Sequence, residues 1–283
     1  MWDPAAYRRF GDERSRPFLD LLARVPAEHP RAVVDLGCGP GDLTAMLAGR
    51  WPGARVTGLD SSPEMIQEAA RLATPVAFHA ADLRDWRPEP DVDVLISNAA
   101  LQWVPEHRSL LTRWAGQLPA GAWLAGQLPG NFAAPSHRLL RELADEPRWR
   151  ARVAPVLREQ PVDDAAGYAT LLLDAGCAVD AWESTYVHLL PTAPATGPVD
   201  AAPGPSGAEA TEPGTAAPHP VLRWMEGTAL RPVRAALAGD PPAWAAFRAA
   251  LGDRLTRAYP AHRGHVPFPF RRIFFVARTG ARP

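Results

Sequence analysis

Short apolar runs alternate with amphipathic stretches along the first half of the chain. Each run has the length of a buried strand and is followed by a polar or glycine-containing turn, as in a parallel sheet. The predicted strands cover residues 32–36, 55–59, 75–78, 93–97 and 122–126. Helices are predicted near residues 18–25, 42–50 and 62–71, the last with Ser62 as N-cap and Pro63 at its first position. This alternation predicts a doubly wound, mostly parallel α/β sheet.

Two further strands are predicted at residues 179–190 and 272–277, which are rich in β-branched and aromatic residues. Between them, residues 191–220 are mainly Pro, Ala, Thr and Gly and bury too little apolar surface to order, so this tract is predicted to be disordered. Helices are then predicted at residues 221–237 and 242–259, which would form a cap with a helix near residues 136–143. The expected fold is therefore a seven-stranded sheet with a helical cap inserted between the last two strands.

This pattern predicts five segments. They are an N-terminal helical segment that closes the active site (1–30), an α/β core (31–190), a disordered insertion (191–220), a helical cap (221–262) and a final core strand (263–283).

The composition narrows the classes of partner. The 283 residues carry 30 basic and 31 acidic side chains, a balance that disfavours a general nucleic-acid or membrane-surface binder. Every basic residue is Arg and none is Lys, so an anion site must use Arg, His or backbone amides. Cys38 and Cys177 are too few for a disulfide framework or a Cys-rich zinc site, and we predict no metal. With no signal-like N-terminus and no apolar stretch of the ~18 residues that span a bilayer, we expect a cytoplasmic protein.

A glycine-rich turn, Asp35-Leu-Gly-Cys-Gly-Pro-Gly41, follows the first predicted strand. Its glycines allow a tight turn and a close approach of the backbone to a ligand. Gly37, Gly39 and Gly41 are evenly spaced by two, unlike the Gly-x-Gly-x-x-Gly of dinucleotide sites, and a Walker phosphate loop is excluded because it needs a Lys. Taken alone, the turn indicates a nucleotide-type ligand at the carboxyl ends of the strands.

Acidic residues follow the next two strands. Asp60 ends the second strand, 19 positions after Gly41, where a carboxylate can accept both ribose hydroxyls; otherwise it is a loop acid or helix cap. Asp82 and Leu83 follow the third strand, where Asp82 can accept an adenine amino hydrogen while Leu83 packs on the ring. The alternative for Asp82 is a solvated turn residue.

The segments Val33–Gly41, Leu59–Met65 and Ala81–Leu83 together resemble the motifs shared by class I S-adenosylmethionine (SAM)-dependent methyltransferases. The resemblance implies SAM as the cofactor, and Ser61 and Met65 of the second segment join the predicted cofactor residues. Asn98 and Ala99 end the fourth strand beside the expected methyl donor, where backbone carbonyls can bind the ammonium of the methionine moiety.

Other segments narrow the resemblance to the trans-aconitate 2-methyltransferase family. They lie at residues 2–17, 97–103, 174–188, 227–232 and 268–278, so the similarity runs nearly from end to end. The tract at residues 191–218 departs from it, because it is longer than that family's usual turn into the helical insertion. The resemblance implies transfer of the SAM methyl group to one carboxylate of trans-aconitate, which gives a monomethyl ester.

A carboxylate acceptor would make the chemistry simple. With a pKa near ~4 it is ionised at pH 7 and needs no general base, so we predict no catalytic acid or base; alignment alone can lower the barrier by roughly 7–11 kcal/mol. A tricarboxylate needs compensating donors, among which Arg grips carboxylates best. The predicted substrate-binding residues are Arg14, Arg16, Trp103, His137, Arg231, Tyr259 and Arg272, with Tyr7, Arg271, Trp224 and His188 as further candidates. A monomer that binds this small acid, with no nucleic acid or membrane partner, is expected.

Other functions remain open at this point. A methyltransferase of the same fold can act on another small acid or on a natural-product hydroxyl, and a hydroxyl acceptor needs a base that His137 or His188 would have to supply. A NAD-dependent oxidoreductase is disfavoured by the glycine spacing. A non-catalytic SAM-binding protein would bind SAM without turnover.

Overall fold

The computed structural model describes residues 11–159, 161–192 and 218–280, with side chains from Ser15 onward. The first ten residues of the predicted N-terminal segment lie outside the described residues. So do residues 193–217, which make up most of the tract predicted to be disordered, and that prediction stays untested.

The described residues form seven strands and nine α-helices, joined by turns and short 3-10 segments. The strands are β1 (Ala32–Leu36), β2 (Arg55–Asp60), β3 (Ala77–Ala80), β4 (Val92–Asn98), β5 (Trp123–Pro129), β6 (Cys177–Pro191) and β7 (His265–Thr279). The helices are α1 (Gly11–Ala23), α2 (Asp42–Arg50), α3 (Pro63–Ala69), α4 (His107–Gln117), α5 (Pro135–Ala144), α6 (Ala165–Asp174), α7 (Pro220–Glu226), α8 (Arg231–Ala236) and α9 (Pro241–Ala258).

All seven strands belong to one sheet, in the order β3-β2-β1-β4-β5-β7-β6. Strands β1 to β5 pair in parallel, whereas β7 runs antiparallel to β5. Helices α7, α8 and α9 lie between β6 and β7 in the chain. The predicted doubly wound, mostly parallel sheet with a helical insertion between its last two strands is confirmed.

Two hydrophobic cores cover the two faces of the sheet, because successive side chains of a strand point to opposite faces. On one face, Val34 and Leu36 of β1 pack with Trp114 of α4 and Leu172 of α6. On the other face, alternate strand residues pack with α1 and α2. This burial on both faces explains the nearly continuous apolar runs in the sequence.

The chain divides into two compact units. Of the described residues, the first comprises 11–132, 159, 161–186 and 270–280, and the second comprises 133–158, 187–192 and 218–269. The second unit has its own packing, in which Trp149 meets Phe247 of α9 edge-on at 5.2 Å between ring centroids. Arg254 of α9 also forms an ion pair with Glu146.

Several predicted elements differ in extent, position or continuity. The first helix is α1 (Gly11–Ala23) rather than residues 18–25, and the last strand is β7 (His265–Thr279) rather than residues 272–277. Strand β3 is Ala77–Ala80 rather than residues 75–78, because its pairing with β2 begins at Thr57 opposite Ala77. The helix predicted at residues 221–237 is two helices, α7 and α8. Pro232 explains the break, since a proline lacks the N–H that continues a helix and is tolerated in the first turn of a new one.

Two negative findings apply to the part of the chain that the structure describes. None of its helices is both long and apolar enough to cross a membrane. Nor do three or more His, Cys, Asp or Glu side chains gather there in a way that would hold a metal ion.

Candidate active site

An open cleft lies at the carboxyl ends of β1, β2 and β4 in the first unit. The cleft is lined by Gly37, Gly39, Asp60, Ser61, Met65, Asp82, Leu83, Arg84, Asn98, Ala99, Ala100, Trp103, Val104 and Pro105. Nine of the eleven predicted cofactor residues are therefore in its wall, together with Trp103, which was predicted to contact the substrate.

The glycine turn is held against the end of β2. The backbone N–H groups of Gly37 and Cys38 both donate to the carbonyl of Leu59, at 2.7 and 3.0 Å. Gly37 has a φ of +82°, and a Cβ atom there would lie 2.2 Å from the Cβ of Ala100. Gly39 also has a positive φ, but a Cβ there would meet nothing within 4 Å. The turn thus needs glycine for its conformation and leaves open space above Gly39 in the cleft.

Asp35 and Gly41 are the two predicted cofactor residues that do not line the cleft. Gly41 precedes α2, and a Cβ atom there would approach Phe78 and Ala69 to within 2.9 Å, so it serves packing. Asp35 is buried and accepts a hydrogen bond from Thr44 Oγ1 at 2.6 Å. Burial raises the pKa of Asp35 to about 7, and the negative charge of Asp60 adds a smaller increase. The hydrogen bond from Thr44 acts in the opposite direction and lowers this pKa.

Asp60 ties two loops of the cleft together. Its Oδ2 accepts from the backbone N–H of Gly39 at 2.9 Å, and its Oδ1 accepts from that of Ser62 at 2.8 Å. Burial raises the pKa of Asp60, while these backbone hydrogen bonds oppose the rise. Because each carboxylate oxygen has two lone-pair sites, both retain capacity for a further donor such as a ribose hydroxyl.

Asp82 is not a free carboxylate. Arg84 donates to it from its backbone N–H at 2.8 Å and from its guanidinium at 2.6 to 3.1 Å. The Arg84 guanidinium holds the pKa of Asp82 below its usual range. Sequence reasoning missed Arg84, although an Arg two residues after an Asp in a turn is a recognisable signal. Asp82 has to share its oxygens between Arg84 and any ligand.

The end of β4 has an unusual backbone conformation. Ala99 has a φ of 52°, although it is not a glycine, and such strain is typical of functional sites. Its N–H donates to the carbonyl of Gln127 at 2.9 Å, and its carbonyl accepts from Gln102 Nε2 at 2.5 Å. The Ala99 carbonyl, which was predicted to accept an ammonium, therefore already uses one lone pair for Gln102 and has one lone pair left.

Two of the predicted substrate cations come together in the first unit, around Tyr186 of β6. The Arg16 guanidinium carbon lies 5.1 Å from the Tyr186 ring centroid, and the charges of Arg16 and of the buried Arg272 both act on the phenol. Burial raises the pKa of Tyr186, and so does the hydrogen bond that its hydroxyl donates to Asp20 at 2.5 Å. The positive charges of Arg16 and Arg272 lower this pKa by less. Tyr186 itself was not predicted as a site residue.

Arg14 and Arg271 are placed differently from this pair. Arg14 lies in α1, but its side chain is outside the described residues. Arg271 pairs with Glu183 at 2.7 Å, and its backbone N–H donates to Asn131 Oδ1 at 2.6 Å. Arg271 thus has a local structural partner in β6.

The second unit brings together two other predicted substrate residues. Ser136, at the start of α5, donates its backbone N–H to Tyr259 Oη at 3.0 Å, and its Oγ lies 3.2 Å from His137 Nδ1. Burial, with the positive charge of Arg141, lowers the pKa of His137 to about 4, so this imidazole is neutral at pH 7. We call Ser136, His137 and Tyr259 the α5–α9 polar cluster.

Aromatic rings extend this cluster within the second unit. Tyr259 meets Phe268 edge-on at 5.4 Å, Phe268 meets Trp224 at 5.9 Å, and Trp224 stacks on His188 at 4.8 Å between ring centroids. Trp224 is buried, whereas Arg231, the first residue of α8, is half-buried, and burial lowers its pKa. Trp224 and His188 are therefore core residues of this unit as well as candidates for ligand contact.

Comparison with known proteins identifies the family. The family model described as "Methyltransferase domain" matches residues 33–121. The trans-aconitate 2-methyltransferase of Mycobacterium sp. (strain KMS) is 52% identical over 287 residues, covering 99% of this chain and 100% of that protein. The enzyme of the same name from Rhodococcus jostii (strain RHA1) is also 52% identical, over 282 residues, with 99% and 100% covered.

Solved structures agree on the fold. The YcgJ protein from Bacillus subtilis superposes with a TM-score of 0.55 at 11% identity, over 94% of this chain and 98% of that one. The Haemonchus contortus phosphoethanolamine N-methyltransferase 2, solved with S-adenosylhomocysteine, has a TM-score of 0.51 at 13% identity, over 94% and 53%. With relatives at 52% identity over nearly the whole length, the chain belongs to the trans-aconitate 2-methyltransferase family and is a methyltransferase.

Proposed function

We propose that the protein transfers the methyl group of SAM to a carboxylate of trans-aconitate and releases the monomethyl ester. The observation that carries the proposal is the cleft at the carboxyl ends of β1, β2 and β4. It lies in a chain whose relatives, 52% identical from end to end, are named for this reaction.

The wall of the cleft fits the chemical groups of SAM. Asp60 retains lone pairs for the ribose hydroxyls, and the open space above Gly39 admits the ligand against the backbone. Leu83 and Met65 supply apolar surface for a purine, with Asp82 at its edge. When bound, SAM supplies a methyl group already activated by its sulfonium. The half-buried Trp103 in the same wall suits a cationic centre, since cation–π attraction is worth ~0.5–2 kcal/mol.

The acceptor needs charge compensation and alignment rather than proton transfer. A carboxylate is ionised at pH 7, so the protein's tasks are to orient one oxygen toward the methyl group and to exclude water. Arg16 and Arg272 supply positive charge in the first unit, and Arg231 does so in the second. His137, which is neutral at pH 7, and Tyr259 offer hydrogen bonds without net charge.

A panel of acceptors tests the proposal. Purified protein is incubated with methyl-labelled SAM and, in turn, trans-aconitate, cis-aconitate, citrate, a dicarboxylate and a set of phenols. We expect the highest kcat/KM with trans-aconitate and a base-labile monomethyl ester as product. Labelling of the phenols alone would contradict a carboxylate acceptor. The pKa of His137, about 4, disfavours that outcome, because such an imidazole is a weak base at pH 7.

The protein is also proposed to act as a monomer. Sedimentation equilibrium with and without S-adenosylhomocysteine tests this, and a dimer whose dissociation abolishes turnover would contradict it.

A further inference from the structure

Gln127, near the end of β5, has a buried side-chain amide. The residue is 1% exposed, and among the residues that the structure describes neither its Nε2 nor its Oε1 has a hydrogen-bond partner. A buried amide that forms no hydrogen bond is unfavourable. Such a group in a core calls for an explanation, and the capacity to bind a polar ligand is one.

The neighbour of Gln127 on the sheet lines the cleft. Gln127 lies opposite Asn98 in the parallel pairing of β4 with β5. Paired residues on adjacent strands point to the same face and lie about 5 Å apart. Asn98 is in the wall of the cleft, and its Oδ1 is likewise buried with no hydrogen-bond partner in the part of the chain that the structure describes. Two amides with unmet hydrogen-bonding capacity therefore stand side by side at the end of the cleft nearest β5.

The side chain of Arg272, a cation, lies on the same face of the sheet as Gln127. In the antiparallel pairing of β5 with β7, Gln127 is opposite Phe274 and Pro129 is opposite Arg272. Arg272 is two residues from Phe274, so it shares the face of Gln127, and it is 6% exposed. These three side chains thus form a row across the neighbouring strands β4, β5 and β7. Asn98 is a half-buried amide, Gln127 is a buried amide and Arg272 is a buried guanidinium.

We propose that Gln127 is a substrate-binding residue whose amide N–H donates to a carboxylate oxygen of the acceptor. The inference rests on the proposed function and deepens it, because it names the donor that orients the acid at this end of the cleft. A neutral amide suits this place, since a guanidinium beside the sulfonium would repel it, whereas an amide holds the carboxylate without adding charge. The charge of the acid is then met by Arg272, farther along the row.

Isosteric substitution separates this role from a structural one. The variants are Gln127→Met, which keeps the shape and removes both polar atoms, and Gln127→Glu, which places a negative charge against the acid. Gln117→Met, at the exposed end of α4, is the matched control. Steady-state kinetics with SAM and trans-aconitate, calorimetry with S-adenosylhomocysteine and thermal unfolding are measured for each.

For Gln127→Met we expect the KM for trans-aconitate to rise roughly 10- to 100-fold, the range for one hydrogen bond to a charged group. Gln127→Glu should raise it further. The Kd for S-adenosylhomocysteine should stay within about twofold of wild type. The Tm of Gln127→Met should equal or exceed that of wild type, because an unpaired buried amide has been removed. Gln117→Met should change none of these.

Two results would overturn the inference. A weaker Kd for S-adenosylhomocysteine with an unchanged KM for the acid would assign Gln127 to the cofactor. A lower Tm with unchanged kinetics would assign it a structural role.

Failure of the proposed function is detected separately. Wild-type protein that methylates no tricarboxylate contradicts that function but leaves the role of Gln127 testable, because acid binding to the S-adenosylhomocysteine complex needs no turnover. Calorimetric titration of that complex with trans-aconitate should show binding that Gln127→Met loses. Equal binding by both proteins, or none by either, would overturn the role.

Discussion

The cleft of the first unit and the α5–α9 polar cluster of the second are built in different ways. The cleft is made largely of backbone groups and short side chains on successive loops, such as Gly37, Gly39 and Asp60. The polar cluster is joined over more than a hundred residues of chain, by the hydrogen bond from the backbone N–H of Ser136 to Tyr259 Oη. Under the proposed function, we expect the cleft to be sensitive to changes of backbone conformation. We expect exchange of single side chains in the second unit to change recognition of the acceptor.

The strongest test of this difference is Gly37→Ala. The added methyl would lie 2.2 Å from the Cβ of Ala100. The φ of +82° at this position is one that residues with a side chain adopt only at a cost of about 1–3 kcal/mol. Strain and clash together should weaken S-adenosylhomocysteine binding by about 100-fold or more, as measured by calorimetry. Gly53→Ala is the control, because a Cβ there meets nothing within 4 Å. Unchanged affinity of Gly37→Ala for S-adenosylhomocysteine would show that cofactor binding does not depend on glycine at this turn.

Asp60→Asn should have the next largest effect. The asparagine has one acceptor oxygen, so its amide N–H would face the backbone N–H of either Gly39 or Ser62. Loss of charge-assisted hydrogen bonds to the ribose and to the loop should weaken cofactor binding roughly 10- to 100-fold. Asp174→Asn, an exposed residue at the end of α6, is the control. A wild-type Kd in Asp60→Asn would remove this carboxylate from the ribose role.

Arg231→Met tests whether the second unit recognises the acceptor rather than the cofactor. If the Arg231 guanidinium binds a carboxylate as proposed, its removal should raise the KM for trans-aconitate about 10-fold, while the Kd for S-adenosylhomocysteine stays within about twofold. Arg234→Met, on the same helix α8 and exposed, is the control. An equal loss of cofactor affinity in Arg231→Met would show that Arg231 supports the fold or the cofactor cleft instead.

The smallest expected effect concerns Asp35 and pH. Its carboxyl has a pKa of about 7 when folded, against an ordinary value of about 3.9, so the folded state binds more protons and stability falls as pH rises between these values. From pH 6 to pH 8 this lowers the free energy of unfolding by about 1.4 kcal/mol. Urea unfolding should show that loss in wild type and Asp174→Asn but not in Asp35→Asn. A parallel pH dependence in all three proteins would contradict the burial of an ionisable Asp35.

Much of the fold followed from local patterns. Buried parallel strands such as Ala32–Leu36 are continuous apolar runs, and α3 carries its N-cap Ser62 and its first-turn Pro63 in the sequence. The break between α7 and α8 was missed because Pro232 was not weighed as a helix start. Strand β3 was misplaced by two residues because its ends are set by pairing with β2 rather than by its own residues.

The residues of the candidate site were likewise predicted where local patterns mark them and missed where they do not. Gly37, Asp60 and Asp82 lie next to strand ends along the chain, so their positions followed once the strands were placed. Tyr186 was missed because its partner Asp20 is distant in the chain, and Gln127 because its neighbours lie on other strands; no short motif marks such pairings. Gln102 was missed although its partner Ala99 is only three residues away. The roles of all these residues toward ligands stay predictions until the variants are measured.

The contacts of Asp60 also bear on how quickly the enzyme can turn over. Its hydrogen bonds to Gly39 and Ser62 are made by the protein alone, so the carboxylate is preorganised and a nucleoside meets it with little loss of entropy. The ribose and adenine that Asp60 and Asp82 are proposed to hold are common to SAM and S-adenosylhomocysteine. Under the proposed function, this half of the cleft retains the spent nucleoside as firmly as the fresh one. Inhibition by the product, and slow release of it, are the expected kinetic consequences.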